Sequence, residues 1–142
     1  MASTRQTFFT AFTTQLAAIS GIITSGNGIE IPDLLAYAEA ELPWLWVIHP
    51  KTFKMVKIPN YYKYTERVPV ILQYADWNIV PNQTTAENWI ELIVDTAEAD
   101  WCVSGTVNYI ESRAVELVTR NFPIAGVKVT FDVTYHVLRD DF

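Results

Sequence analysis

The stretch from Gly126 to Leu138, Gly-Val-Lys-Val-Thr-Phe-Asp-Val-Thr-Tyr-His-Val-Leu, constrains this chain more than any other. Val127, Val129, Phe131, Val133, Tyr135 and Val137 share one parity, and Lys128, Thr130, Asp132, Thr134 and His136 share the other. Successive side chains of a strand point to opposite faces, so the alternation predicts a strand with one buried and one solvated side. At about 3.3 Å per residue it spans about 40 Å, long for a globular strand. Such a strand commits the chain to a sheet, and something must cover its apolar face.

Two segments are patterned to supply that cover. Between Thr4 and Ser20, Phe8, Phe12, Leu16 and Ile19 recur at helical spacing, with Gly21 placed to cap the C-terminus. Phe9 lies off this stripe and reads as a weak pointer to a partner. The second helix opens with Thr84-Thr85-Ala86-Glu87, a capping box in which Thr84 is the expected N-cap. Ala86, Ile90, Ile93, Ala97 and Trp101 form its inward stripe, and Glu87, Glu91, Asp95 and Glu98 its outward one. No Lys or Arg lies between residues 68 and 112, so nothing local relieves these stacked carboxylates. They form either a solvated face or one that meets a basic partner.

The remaining segments read as follows. Ser25-Gly26-Asn27-Gly28 marks a turn or loop, and Ile31-Pro32-Asp33 opens a short helix running to about Leu42. Trp44 to Ile48 is a short apolar strand closed by His49-Pro50. Arg67 to Ala75 alternates as a strand, with Pro69 placing it at a sheet edge or strand start. Ser112 to Arg120 is taken as a strand forming a hairpin with the final one across Pro123. The expected fold is α+β: a single antiparallel or mixed β-sheet with a long helix on one face, a short N-terminal helix and a C-terminal β-hairpin. Residues 1–142 form one domain, with a projecting Lys/Tyr-rich arm or loop around 49–66.

That arm carries Lys51, Lys54, Lys57 and Lys63 interleaved with Phe53, Met55, Tyr61, Tyr62 and Tyr64. It reads as a solvated edge guarded by lysine, as a docking arm for an acidic neighbour, or as a single-strand nucleic-acid binder. The net charge of −6 weighs against the last. The candidate interface residues are therefore Lys51, Lys54, Lys57, Tyr61, Tyr62 and Lys63 on the arm, and Glu87, Glu91, Asp95 and Glu98 on the helix. Lys128 and Asp132, on the polar side of the final strand, complete the set.

Chemistry is sparse. His49 and His136 are the only histidines, and neither has a Cys or carboxylate at metal-ligand spacing. Cys102 is the single cysteine, which excludes an internal disulfide and a CxxC site, and it is expected to be packed away. There is no phosphate loop, no G-x-G-x-x-G and no nucleophile elbow. No catalytic, metal or cofactor site is expected, and neither a signal peptide nor a membrane span is legible.

The order of elements, together with Phe131-Asp132-Val133-Thr134-Tyr135 and the Pro/Gly-containing turn before it, resembles the tail terminator proteins of tailed bacteriophages and the related small neck and tail-completion proteins. The resemblance implies a structural virion protein forming a homo-oligomeric ring, usually a hexamer, that terminates the tail tube and joins it to the neck. It implies as partners the tail tube protein and an adjacent neck or connector protein, with DNA passing through unbound. Its location would be the virion, after synthesis in the host cytoplasm. Another neck ring, such as a connector or stopper, or a tail-tube-like protein is the alternative within this class. A small α+β ligand-binding domain or enzyme, with its pocket under Trp44 and Trp46, is the alternative outside it.

Overall fold

In the computed structural model, which describes residues 4–29, 42–80, 82–121 and 123–138, the final strand is the spine of the molecule. The order of elements is α1 (Thr4–Ala17), β1 (Thr24–Gly28), β2 (Trp44–Ile48), β3 (Lys54–Ile58), β4 (Tyr61–Ala75), α2 (Gln83–Ala99), β5 (Tyr109–Asn121) and β6 (Ile124–Leu138). The six strands form one mixed sheet in the order β1-β2-β4-β6-β5, with β3 also paired to β4. Among the described strands only β1 and β2 run parallel. β4 and β6 pair over their full lengths, Tyr61 opposite Leu138 and Ala75 opposite Ile124. The α+β class and the C-terminal β5–β6 hairpin are those expected. The helix anticipated from Ile31 to Leu42 lies largely outside the described residues.

Alternation decides which face is covered. Val127, Val129, Phe131, Val133 and Tyr135 of β6 join Tyr64, Val68, Val70, Leu72 and Tyr74 of β4 on the buried face. Both helices pack there, α1 over β1 and β2 and α2 over β5 and β6. Phe8, Phe12 and Leu16 form the buried stripe of α1, Ile19 is buried just past its end, and Phe12 meets Phe131 edge-on at 5.5 Å. Burying each such side chain is worth about 1.5–3 kcal/mol, so this layer supplies the main driving force. Gln15 Nε2 reaches from α1 to the carbonyls of Thr96 and Ala97 at 2.8 and 3.1 Å. It satisfies acceptors that the last turn of α2 leaves open and ties the helices together.

Several local expectations are corrected. Phe9 is not a partner-facing residue: it is buried, with the His49 ring stacked on it at 3.8 Å. Asn82, not Thr84, is the N-cap of α2, its side chain accepting from the Thr85 backbone N–H at 3.2 Å. Asn82 is held there because its own N–H donates to the buried Asp76 carboxylate, which moves the helix start two residues earlier. Trp101 lies beyond the end of α2 and is exposed, so the inward stripe stops at Ala97. Cys102 is half-buried, with its thiol 3.3 Å from Asp100 Oδ1. The Ser25–Gly28 stretch is part of strand β1 rather than a turn.

Pro69 is not in an edge strand, yet its placement obeys the same physics. On one side β4 is paired throughout with β6; on the other, β3 covers Tyr61–Thr65 and β2 covers Val70–Gln73. Among the described residues, 66–69 have no strand neighbour on that side, so the proline occupies a local edge inside a central strand.

On the opposite face, Leu42, Trp44 and Ile71 form a smaller buried cluster, extended by Trp46, Ile48, Ala75 and Ile124. Trp44 and Trp46 stack at 5.6 Å, and Gly26 of β1 lies directly under the Trp46 ring. A Cβ on Gly26 would collide with that ring, so the strand needs glycine for close approach. Gly26→Ala is expected to displace Trp46 and cost about 1–3 kcal/mol, the usual penalty for overpacking. A lower urea midpoint, with an altered near-ultraviolet circular dichroism signal from the tryptophan pair, checks this.

Candidate functional site

Glu66 is a buried carboxylate bonded through both of its oxygens. It falls in the buried parity of β4, between Tyr64 and Val68, and is 1% exposed. Oε1 accepts from Arg5 Nε at 2.8 Å, with Arg5 Nη2 at 2.7 Å; Oε2 accepts from the Tyr135 hydroxyl at 2.6 Å. Arg5 Nη2 also donates to the Pro50 carbonyl at 2.9 Å, and its guanidinium lies over the rings of Phe9 and Phe53. Burial first, and the hydrogen bond to Glu66 second, push the Tyr135 hydroxyl well above the usual tyrosine pKa. It remains a proton donor, locked on the carboxylate. The cluster is saturated by its own members and joins α1, the β2–β3 connection, β4 and β6.

His49 borders it. Its Nε2 lies 2.8 Å from Asn27 Oδ1, and Asn27 Nδ2 donates to Thr13 Oγ1 at 3.0 Å. Burial, and then the neighbouring Arg5 charge, hold the His49 pKa below its ordinary value near 6.5. His136 lies on the polar side of β6, its Nδ1 against the Asn108 side-chain amide. Among the described residues no group of three or more His, Cys, Asp or Glu is arranged to hold a metal ion. No described helix is long and apolar enough to cross a membrane. An open groove of about 510 Å³ runs along the gap beside β4, lined by Pro50, Thr52, Phe53, Lys54, Thr65, Glu66 and Arg67. Trp44 and Trp46 stack on each other and pack with Leu42, Ile71 and Ile124.

The candidate interface residues divide into three surfaces. β3 and β4 form a hairpin whose two-residue turn is Pro59-Asn60, with Asn60 at φ 71°. Proline at the first turn position and Asn with positive φ at the second fit a type II turn. Lys51, Lys54, Lys57, Tyr61 and Lys63 are exposed and Tyr62 half-buried. By register Lys54 and Lys63 lie on the open face, whereas Lys57 and Tyr62 lie on the helix side. Phe53, Met55 and Val56 are exposed beside them.

The second surface is α2. Glu87, Glu91, Asp95 and Glu98 are all exposed. Gln83 donates to Glu87 at 3.1 Å, and the Ser112 hydroxyl of β5 donates to Glu98 at 3.2 Å. The third is the open face of the sheet, where Lys128 and Asp132 are engaged within the chain. Lys128 pairs with Glu116 at 3.2 Å, and Asp132 accepts from Arg113 at 3.0 Å with Arg67 at 3.9 Å. These cross-strand pairs neutralise that part of the face, and Lys54 and Lys63, at the hairpin end of the same face, belong to none of them. Among the described residues no ion pair joins the arm lysines and the helix acids to each other.

Sequence patterning passed over three exposed apolar residues beside the acids: Leu92 on α2, and Val115 and Leu117 on β5. By register Val115 and Leu117 share the face of Val129 and Val127, but lie at the β5 edge. The signal was present in Ile90-Glu91-Leu92-Ile93-Val94, too apolar to be accommodated by one buried stripe.

No family model matches the chain, and no curated protein matches it in sequence. Solved structures do match. One is a chain from the virion of a native gene transfer agent particle, 10% identical, with a TM-score of 0.50; the alignment covers 90% of this chain and 93% of that one. The protein is thus a single-sheet α+β chain sharing its fold, nearly end to end, with a component of a virion particle.

Two outcomes follow. Glu66→Ala strips the partner from a half-buried guanidinium and a buried hydroxyl and should cost about 3 kcal/mol, the low end for a buried pair because Arg5 keeps some contact with water, whereas Tyr135→Phe should cost about 1–3 kcal/mol; urea denaturation at pH 7.5 distinguishes them. His49 has a depressed folded pKa, so between that value and about 6.5 the unfolded chain binds a proton that the native chain does not. Its contribution to stability is therefore present near pH 7.5 and lost as pH falls through that window. The urea midpoint should drop less between pH 7.5 and 5.5 in His49→Gln than in the unsubstituted protein.

Proposed function

We propose that this chain is a structural protein of a phage-type virion: a ring subunit, with no catalytic role, that terminates the tail tube and joins it to the neck. The observation that carries this reading is the shared fold with a chain of a gene transfer agent virion over 90% of the present sequence. The position of its surfaces supports it. A cyclic ring with head-to-tail contacts requires two different, complementary patches on each subunit. The lysine hairpin projects from the β2/β3 side of β4, and the α2 acids lie on the β5/β6 side.

In this reading the ring is a hexamer, its partners are the tail tube protein and an adjacent neck or connector ring, and DNA passes through the lumen without specific contacts. An overall charge of −6 suits such a passage, because phosphate adhesion is created by clustered Lys and Arg. The protein resides in the virion after synthesis in the host cytoplasm. A connector, stopper or tube-like ring is the runner-up, distinguished by which neighbour the protein binds.

The test is a solution mass by light scattering, followed by binding to purified tail tubes and to purified portal complexes. A particle near six times 16.2 kDa that caps tubes, seen as rings in negative stain, is the expected result. Capture by portal complexes but not tubes transfers the assignment to another neck ring. A monomer at all concentrations that binds neither overturns the ring.

A further inference from the structure

We infer that the β3–β4 hairpin of one copy docks on the α2/β5 surface of the next copy, with lysines against the α2 acids and apolar side chains between them. This rests on the ring reading and assigns its contact.

The receiving surface follows from how α2 is anchored. The Ser112–Glu98 hydrogen bond fixes the last turn of α2 at the start of β5. At the other end, the Asp76 N–H bonds the Pro123 carbonyl, so the connection into α2 leaves from the β5–β6 turn. Helix α2 therefore runs antiparallel to β5. Glu91 is seven residues, two turns, before Glu98, so it lies on the same flank of α2, about 10 Å along the helix at 1.5 Å per residue, which corresponds to about three strand residues. Glu91 is thus level with Val115, which forms an exposed apolar strip on β5 with Leu117. Glu87, one turn earlier on the same flank, is level with Leu117, and the outer edge of β5 has no strand partner among the described residues.

The docking element matches it in kind. Met55 and Val56 are half-exposed beside Lys54, Lys57 and Lys63, with no acidic residue between 51 and 65. Lys57 and Met55 lie on one side of the hairpin, Lys54 and Val56 on the other. Each side thus presents a cation next to an apolar group. Two features identify the occupant as a second copy. The charges are complementary across the two surfaces, and the surfaces lie at opposite sides of the sheet. β3 is separated from β5 by β4 and β6, so three spacings of about 4.8 Å put the hairpin about 14 Å from the strip in its own chain, on the far side of the sheet. A hairpin so placed meets the strip of a neighbour, which is the heterologous geometry that closes a ring.

Charge exchange tests the contact. The hairpin variant Lys54→Glu/Lys57→Glu carries acid on both surfaces, and the helix variant Glu91→Lys/Asp95→Lys carries base on both. All four positions are exposed, and circular dichroism with a urea midpoint establishes that each variant is folded. Each alone should lose at least tenfold in subunit affinity by sedimentation equilibrium, while a 1:1 mixture should recover assembly, because each unlike pair restores opposite charges. Assembly by both variants at the native concentration, or loss that the mixture does not rescue, overturns the assigned contact but leaves the ring intact. An unsubstituted chain that never assembles removes the ring and the contact together.

Discussion

The fold depends on one buried carboxylate. Glu66 is sealed inside the helix-covered side of a sheet, where an unpaired charge is prohibitively costly. It is tolerated because Arg5 and Tyr135 arrive from segments far away in sequence and bond both oxygens. The same geometry fixes register. Glu66 is paired across the ladder with Val133, two residues from Tyr135 on the same face. A slip of one residue would carry that carboxylate and hydroxyl to opposite faces, and would send five apolar β6 side chains into water. The ion pair also anchors the first turn of α1, which carries the Phe8–Phe12–Leu16 stripe into the core.

With the interior closed in this way, the asymmetry of the surface becomes informative. On the open face, charges alternate in sign across neighbouring strands and satisfy one another, as in Glu116–Lys128 and Arg113–Asp132. The hairpin and α2 differ, each carrying one sign of charge that no ion pair among the described residues balances. Like charges at i,i+4 on a helix are mildly destabilising, so α2 bears a small cost that folding alone does not explain.

Much of this was legible from pattern. The period-two alternation of β6 identified its buried side, and the apolar run at Trp44–Ile48 marked β2. The β5 strand was readable from Pro123 and the alternation before it. What escaped reading was long-range. The position of Asn82 as N-cap depends on Asp76, buried by tertiary packing. Phe9 looked superfluous because its partner, His49, is forty residues away. Pro69 signalled an edge correctly, but only the tertiary arrangement reveals an edge four residues long within a central strand. At the surface, the lysine and carboxylate sets were visible as composition, whereas the exposure of the neighbouring Val115–Leu117 strip depends on how far α2 reaches over β5.

The interruption at residues 66–69 has a mechanical meaning. β2 ends short of β3 along β4, but β4 and β6 continue unbroken past both, each fifteen residues long. The hairpin is therefore not a flap on a flexible stem. It is the end of a stiff ribbon whose ladder continues into the core, and the Arg5–Glu66–Tyr135 cluster sits where the ribbon emerges. A force on the hairpin tip is carried in shear by many hydrogen bonds in parallel, so the subunit moves as one lever instead of yielding at a hinge.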